Sequence, residues 1–229
     1  MFERFTPAAH EVVELANQEA DRLQHNYLGP EHVLVGILRQ GGSRAARVLR
    51  AHGLDLEAAR AEVGRLVDQG ILPRPERSDT ELLASLGIDL AAVRHRAEET
   101  FGCEAVGEAT WRVTRRPWWR GGAVGWTPLC GKPLAAKRAL HLASVEADAL
   151  GQHDIGPEHV LLGVLRDAAD LSGDPRPSRR AKRTRAYLGL PQEGPTPVKL
   201  VVEARGLTLE QLREAVLAEL HASTNPPRG

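Results

Sequence analysis

The sequence predicts an all-α protein made of two pseudo-symmetric copies of a four-helix unit, with a helical half copy and irregular loops inserted between and within them. Its composition is 42% hydrophobic but only 4% aromatic, and alanine, leucine, arginine and glutamate dominate it. Such side chains lose little rotamer freedom in a helix. An eleven-residue motif also occurs twice and a shorter element three times, which indicates repeated structural units.

The longer motif defines the repeat. Residues 29–39 read Gly-Pro-Glu-His-Val-Leu-Val-Gly-Ile-Leu-Arg, and residues 156–166 read Gly-Pro-Glu-His-Val-Leu-Leu-Gly-Val-Leu-Arg, 127 positions later. The same offset places apolar and acidic residues of the two copies opposite each other upstream of the motif: Leu15, Glu19 and Leu23 match Leu142, Glu146 and Leu150. We therefore expect the helix before the motif to repeat as well.

A shorter element follows each motif. Residues 49–57 resemble residues 202–210 at an offset of 153, so the second repeat carries 26 extra residues between its two halves. A third copy, residues 83–91, has no long motif of its own. It predicts a half repeat inserted between the two complete ones.

Local signals place the helix ends. Thr6 is expected to cap a first helix that has Pro7 at its first position, where a missing N–H does no harm. Gly53 and Gly206 are expected to end helices, each followed by one apolar residue and the cap of a final helix. Gly36 and Gly163 lie inside helical stretches, where glycine costs about 1 kcal/mol relative to alanine. We therefore expect another helix backbone to approach closely at both glycines.

These signals predict how the chain is divided. Residues 1–70 form the first repeat, 71–131 the half repeat with a Trp/Arg/Gly-rich linker, 132–221 the second repeat with a basic, Pro-rich insertion at about 167–197, and 222–229 a disordered tail.

Charge and cysteine content exclude several classes of protein. Thirty basic and thirty acidic residues cancel, so no overall charge attracts nucleic acid or membrane. No apolar run reaches the roughly 18 residues that span a bilayer, and the first residues lack the order of a signal peptide. Cys103 and Cys130 are expected to be free thiols, and neither a metal nor a cofactor is predicted. The sequence predicts a soluble, cytoplasmic protein.

The motif, the stretch from Phe5 to Leu38 and the Gly53-Leu54 element resemble the N-terminal domain of ClpC-type AAA+ chaperones. In that family each domain has two helical repeats with a Gly-Thr-Glu-His-Ile-Leu-Leu-Gly-like motif, and the resemblance covers residues 1–69 and 132–221. No Gly-x-x-x-x-Gly-Lys-Ser/Thr phosphate loop is present in the sequence. The chain is therefore similar to stand-alone Clp N-domain proteins, and the resemblance implies an adaptor to, or a decoy for, a separate Clp ATPase.

The resemblance also implies a ligand site at Glu31 and Glu158, which follow Gly-Pro at the start of a helix. In the family, the corresponding glutamates bind the guanidinium of phosphoarginine on tagged substrates. A helix N-terminus offers N–H groups to the phosphate, and a carboxylate accepts the guanidinium fork. The alternative is that both glutamates only complement the helix dipole. Pro30 and Pro157 replace the family's threonine and remove a hydroxyl and an N–H at each site.

The histidines of the motif and two residues outside it have separate assignments. His32 and His159 are expected to pack or to cap, because no further metal ligands accompany them. The resemblance implies that Phe2 and Lys137 border a groove for cyclic-peptide antibiotics. The alternative for Phe2 is a lid on the core. His25 and His153 are not in register at the repeat offset and are assigned no site.

The Trp/Arg-rich segments allow an alternative function. The run Trp118-Trp119-Arg120 combines stacking rings with a cation, as single-strand nucleic-acid platforms do, and the basic run 176–185 has the charge to contact phosphates. A nucleic-acid-binding regulator is therefore the alternative to the binding protein of the Clp system. Salt-sensitive binding separates the nucleic-acid-binding regulator from the binding protein of the Clp system.

Motifs of common hydrolases are absent from the sequence. No Gly-x-Ser-x-Gly or His-Glu-x-x-His motif is present, so the chain is not expected to be an enzyme.

Overall fold

The computed structural model describes residues 2–25, 27–73, 86–102, 105, 135–173 and 194–224. Within these ranges the chain forms α-helices, one short 3-10 turn at Phe2–Arg4 and one isolated bridge between Phe5 and Ile155. The helices are α1 Pro7–Arg22, α2 Pro30–Gln40, α3 Arg44–Ala51, α4 Leu56–Asp68, α5 Leu90–Phe101, α6 Lys137–Ala149, α7 Pro157–Gly173, α8 Pro197–Glu203 and α9 Leu209–Thr224. The predicted all-α class is confirmed.

Helices α1–α4 and α6–α9 form the two predicted four-helix repeats. The predicted caps are present, since Thr6 Oγ1 accepts the Ala9 N–H at 3.2 Å and Asp55 Oδ1 accepts the Ala58 N–H at 2.8 Å. Gly53 and Gly206 have φ angles of 78° and 71°, the left-handed backbone that favours glycine after a helix. The local sequence thus determines where these helices begin and end.

The two repeats share one core. Helix α2 contacts α7 and α8, α3 contacts α7 and α9, and α4 contacts α8. The main chain adds a reciprocal link: the Thr6 N–H donates to Ile155 O at 3.0 Å, and the Ala136 N–H donates to Leu28 O at 2.9 Å. Leu28 and Ile155 correspond at the 127-residue offset. The chain entering each repeat therefore pairs with the loop that precedes the other repeat's motif.

The glycines inside α2 and α7 allow the closest helix contacts. A Cβ on Gly36 would lie 2.6 Å from Val12 O and 2.9 Å from Ala16 N in α1. A Cβ on Gly163 would lie 2.4 Å from Ala139 O and 2.5 Å from Ala143 N in α6. Both pairs correspond at the repeat offset, and the predicted close approach is confirmed in each repeat.

The half repeat begins like the full ones. Gly87 has a φ of 77°, and Asp89 Oδ1 accepts the Ala92 N–H at 3.2 Å at the start of α5, as at Gly53 and Asp55. Its apolar face differs, because Ile88 and Val93 are 42% and 54% exposed, whereas the core residues of α4 are buried. In the part of the chain that the structure describes, the half repeat thus keeps the local signals of the element but leaves these two apolar side chains exposed.

The predicted divisions of the chain remain predictions in part. Helix α7 continues to Gly173, inside the expected insertion, and α9 reaches Thr224, past the expected start of the tail. The run Trp118-Trp119-Arg120, the basic run 176–185, Cys103 and Cys130 lie outside the described residues. In the described ranges, no helix combines the length and the apolar character needed to cross a bilayer. The cytoplasmic location stays a prediction.

Candidate functional site

The histidine of each motif caps its own helix. The Gly29 N–H donates to His32 Nδ1 at 2.9 Å, and the Gly156 N–H donates to His159 Nδ1 at 3.0 Å. Each ring therefore takes the place that a glutamate or glutamine occupies in a capping box. The capping interpretation of both histidines is confirmed.

This cap determines the tautomer of each ring. A nitrogen that accepts an N–H carries no proton, so both histidines are neutral and protonated at Nε2. In the first repeat, the His32 Nε2–H donates to His25 Nδ1 at 2.9 Å. In the second repeat, His159 Nε2 is buried and has no hydrogen-bond partner among the described residues. The two caps are alike, but the Nε2–H of His32 has an acceptor and that of His159 has none among the described residues.

The two glutamates lie in different environments. Glu31 is 1% exposed, its Oε1 lies 3.5 Å from His32 Nδ1, and its carboxylate folds back over Gly29. Glu158 also folds back over its glycine, but its side chain is only partly buried. The ligand role of both residues stays a prediction, and the structure places only Glu158 where solvent reaches it.

Tyr27 and His25 cover the first site. Tyr27 stacks on His25 with ring centroids 5.2 Å apart and lies 5.3 Å from the His32 ring. Burial is the largest cause that raises the pKa of Tyr27 well above 10, and the Glu31 carboxylate beside it acts in the same direction. The phenol therefore stays neutral. Sequence reasoning missed His25, because its partner position at the repeat offset is Gln152 and no periodic pattern links a loop residue to His32.

The candidate groove residues are both at the surface but on different elements. Phe2 is partly exposed and packs edge-to-face on Phe5, with centroids 5.0 Å apart. Lys137 is the exposed first residue of α6. Between the N-terminal segment and the second repeat, Arg4 donates to Asp148 Oδ1 at 2.7 Å and to His153 O at 2.7 Å. The N-terminal segment that carries Phe2 is therefore tied, through Arg4, to the loop that precedes the second motif.

Each repeat also contains a buried carboxylate that binds arginines from several helices. Glu19 of α1 accepts hydrogen bonds from Arg39 of α2 and Arg60 of α4. Glu146 of α6 accepts them from Arg166 of α7 and Arg213 of α9. Burial acts to raise the pKa of Glu19, but the hydrogen bonds from Arg60 and Arg22 outweigh it and hold that pKa below 4.5.

The same balance lowers the pKa of Glu146 through Arg213 and Arg166. These two clusters tie the outer helices of each repeat to its motif helix. The sequence contained a signal for them, since Arg60 and Arg213 correspond at the 153-residue offset. Among the described residues, no group of three His, Cys, Asp or Glu side chains is placed to hold a metal ion.

Acidification below a pH of about 6.5 should weaken the cap of the second motif. Burial, the largest cause, and the charge of Arg4 hold the pKa of His159 below its ordinary 6.5, although Glu158 and Glu146 act in the opposite direction. The unfolded chain therefore takes up this proton at a higher pH than the folded chain. The stability that the neutral ring provides is complete above 6.5 and falls as the pH drops toward the folded pKa.

Urea unfolding at several pH values between about 7.5 and 5.5 measures this effect. Replacing His159 by glutamine keeps a capping-box acceptor and removes the titrating ring, so the variant should lose less stability on acidification than the unmodified chain. An equal loss in both proteins would contradict the proposed protonation of His159.

Comparisons with known proteins show what the chain is similar to. Residues 4–80 match the model of the Clp repeat (R) N-terminal domain family. Over 172 residues, 75% of the chain, it is 33% identical to the probable ATP-dependent Clp protease ATP-binding subunit of Chlamydia pneumoniae and to the chloroplastic chaperone protein ClpC of Pisum sativum. The aligned part makes up 14% and 13% of those proteins, so the chain spans about one seventh of their length.

A solved structure has the same fold. The N-terminal domain of the caseinolytic protease associated chaperone ClpD from Arabidopsis thaliana superposes with a TM-score of 0.53 over 96% of this chain and 97% of that one. The sequences are 15% identical, so this likeness concerns the fold alone. It supports the all-α, two-repeat architecture.

Proposed function

We propose that this chain, which carries a Clp repeat N-terminal domain, is a non-catalytic binding protein of the Clp proteolytic system. It recognises substrates of a Clp ATPase, among them proteins tagged with phosphoarginine, or peptide-like antibiotics. It acts as an adaptor that delivers these ligands or as a decoy that withholds them. The observation that supports this role is the helix N-terminus at each Gly-Pro-Glu-His motif.

The chemistry of the motif suits a ligand that carries a positively charged and a negatively charged group. The carboxylate of Glu158 is partly exposed at the first turn of α7 and can accept the two parallel N–H groups of a guanidinium. The positive end of the helix dipole favours a phosphate beside it. Because Pro157 provides no N–H, fewer backbone donors remain for the phosphate than in the threonine-containing motif.

Calorimetric titration with free phosphoarginine tests this proposal. The unmodified chain should release or absorb heat on binding, and the double variant Glu31→Ala, Glu158→Ala should not. The matched control is Glu210→Ala, because Glu210 is an exposed first-turn glutamate of α9 that is not preceded by Gly-Pro. Binding that survives in the double variant, or no binding to the unmodified chain, would contradict the proposed ligand site.

The groove assignment requires a separate titration. A cyclic-peptide antibiotic should bind the unmodified chain and bind more weakly to the variant Phe2→Ala, Lys137→Ala. Whether the chain then delivers or withholds a substrate is decided by adding it to a Clp ATPase and protease and following degradation.

A further inference from the structure

We infer that only the second of the two motifs admits a ligand and that the first is a closed, structural site. This inference rests on the proposed function, because it assigns the ligand of that function to one motif. It predicts a stoichiometry of one phosphoarginine per chain, although the sequence contains the motif twice.

In the first motif the chain itself occupies both binding groups. The Glu31 carboxylate is 1% exposed and lies between Gly29, His32 and Tyr27. The donor at His32 Nε2 is used by His25 Nδ1 at 2.9 Å. A guanidinium could reach Glu31 only by displacing the buried Tyr27 and His25 rings, which would expose apolar surface and leave polar groups without partners.

In the second motif solvent reaches the carboxylate, and no described residue uses the imidazole N–H, which is buried. The Glu158 side chain is partly exposed. His159 Nε2–H, on the next residue, is buried with no acceptor among the described residues. A buried donor without an acceptor is unfavourable, so a ligand that brings an oxygen to it restores a hydrogen bond. An N-phosphorylated arginine presents a cation for the carboxylate and oxygens for the N–H.

Two positions produce the difference between the motifs. At the repeat offset, His25 and Tyr27 correspond to Gln152 and Asp154. The second repeat therefore has neither the ring that accepts from His32 nor the ring that covers Glu31. Arg4 instead binds the main chain there, with its Nη2 3.2 Å from Gln152 O, and leaves Glu158 accessible.

The test exchanges these two residues. Calorimetry of the unmodified chain with phosphoarginine should give one site, and Glu158→Gln should weaken binding at least tenfold. The variant His25→Gln, Tyr27→Asp gives the first motif the residues of the second and should raise the stoichiometry from one to two. Two sites in the unmodified chain, or one site that survives Glu158→Gln, would overturn the inference.

A second measurement needs neither a ligand nor a variant that folds. Carbodiimide coupling of glycine ethyl ester to the native chain, mapped by mass spectrometry, should label Glu158 and leave Glu31 unlabelled until the chain is unfolded. Equal labelling of both would overturn the closed first site. If phosphoarginine gives no heat while Glu158 alone is labelled, the proposed ligand is wrong and the difference between the motifs stands.

Discussion

Replacing Gly163 by alanine should destabilise the folded chain by about 3 kcal/mol, the upper end of the usual cost of overpacking. The new methyl group would lie 2.4 Å from Ala139 O and 2.5 Å from Ala143 N. Both atoms belong to the backbone of α6, so they cannot turn away as a flexible side chain would. Helices α6 and α7 must separate, and the contacts along their whole interface weaken.

The control for this prediction is another helical glycine. Gly64 lies inside α4, and a Cβ there would meet no atom within 4 Å. Gly64→Ala should therefore stabilise the chain by about 0.5–1 kcal/mol, through the helix propensity of alanine alone. Urea unfolding followed by circular dichroism measures both variants. If Gly163→Ala is as stable as the unmodified chain, the close approach of α6 and α7 is wrong.

Glu19→Gln should cost about 3 kcal/mol, the lower end for breaking a buried ion pair. The Glu19 side chain is 2% exposed, and Arg22, Arg39 and Arg60 all donate to its two oxygens. An amide offers one acceptor oxygen and no charge, so three guanidinium groups remain close together without their counterion. The lower value is expected because these arginines are 26–47% exposed and are partly hydrated.

Glu146→Gln tests the equivalent cluster with a smaller number of arginines. Among the described residues, Arg166 and Arg213 bind Glu146, and Ala149 stands where the first repeat has Arg22. The loss should therefore be smaller than for Glu19→Gln. The control is Glu57→Gln: Glu57 binds the same Arg60 but is 83% exposed, and exposed pairs contribute less than about 1 kcal/mol.

These carboxylates also determine the response to acid. Because the pKa of Glu19 and that of Glu146 are both lowered in the folded chain, their contribution is complete above their unfolded pKa, near 4.5. It is lost as the pH falls through the folded pKa. The difference in unfolding free energy between the unmodified chain and Glu19→Gln should shrink as the pH is lowered below 4.5. A constant difference would contradict the role of the charged carboxylate.

The sequence by itself determined the fold class, the repeat and most helix ends of this protein. Thr6, Asp55 and Gly53 act within one turn of their own position, so the local chain is sufficient to predict what they do. Gly36 and Gly163 predicted a contact with another helix because their helix propensity is poor. The offset of 127 residues then predicted that both repeats would use the same contact.

Only the tertiary structure decided which motif is accessible. The sequence presents Glu31 and Glu158 identically, in the same motif and at the same place in a helix. Their difference depends on His25 and Tyr27, which belong to the preceding loop and are brought onto the motif by packing. A periodic pattern describes one helix and does not contain such contacts. Burial by a loop is a property of the folded chain, and it is what separates the two motifs.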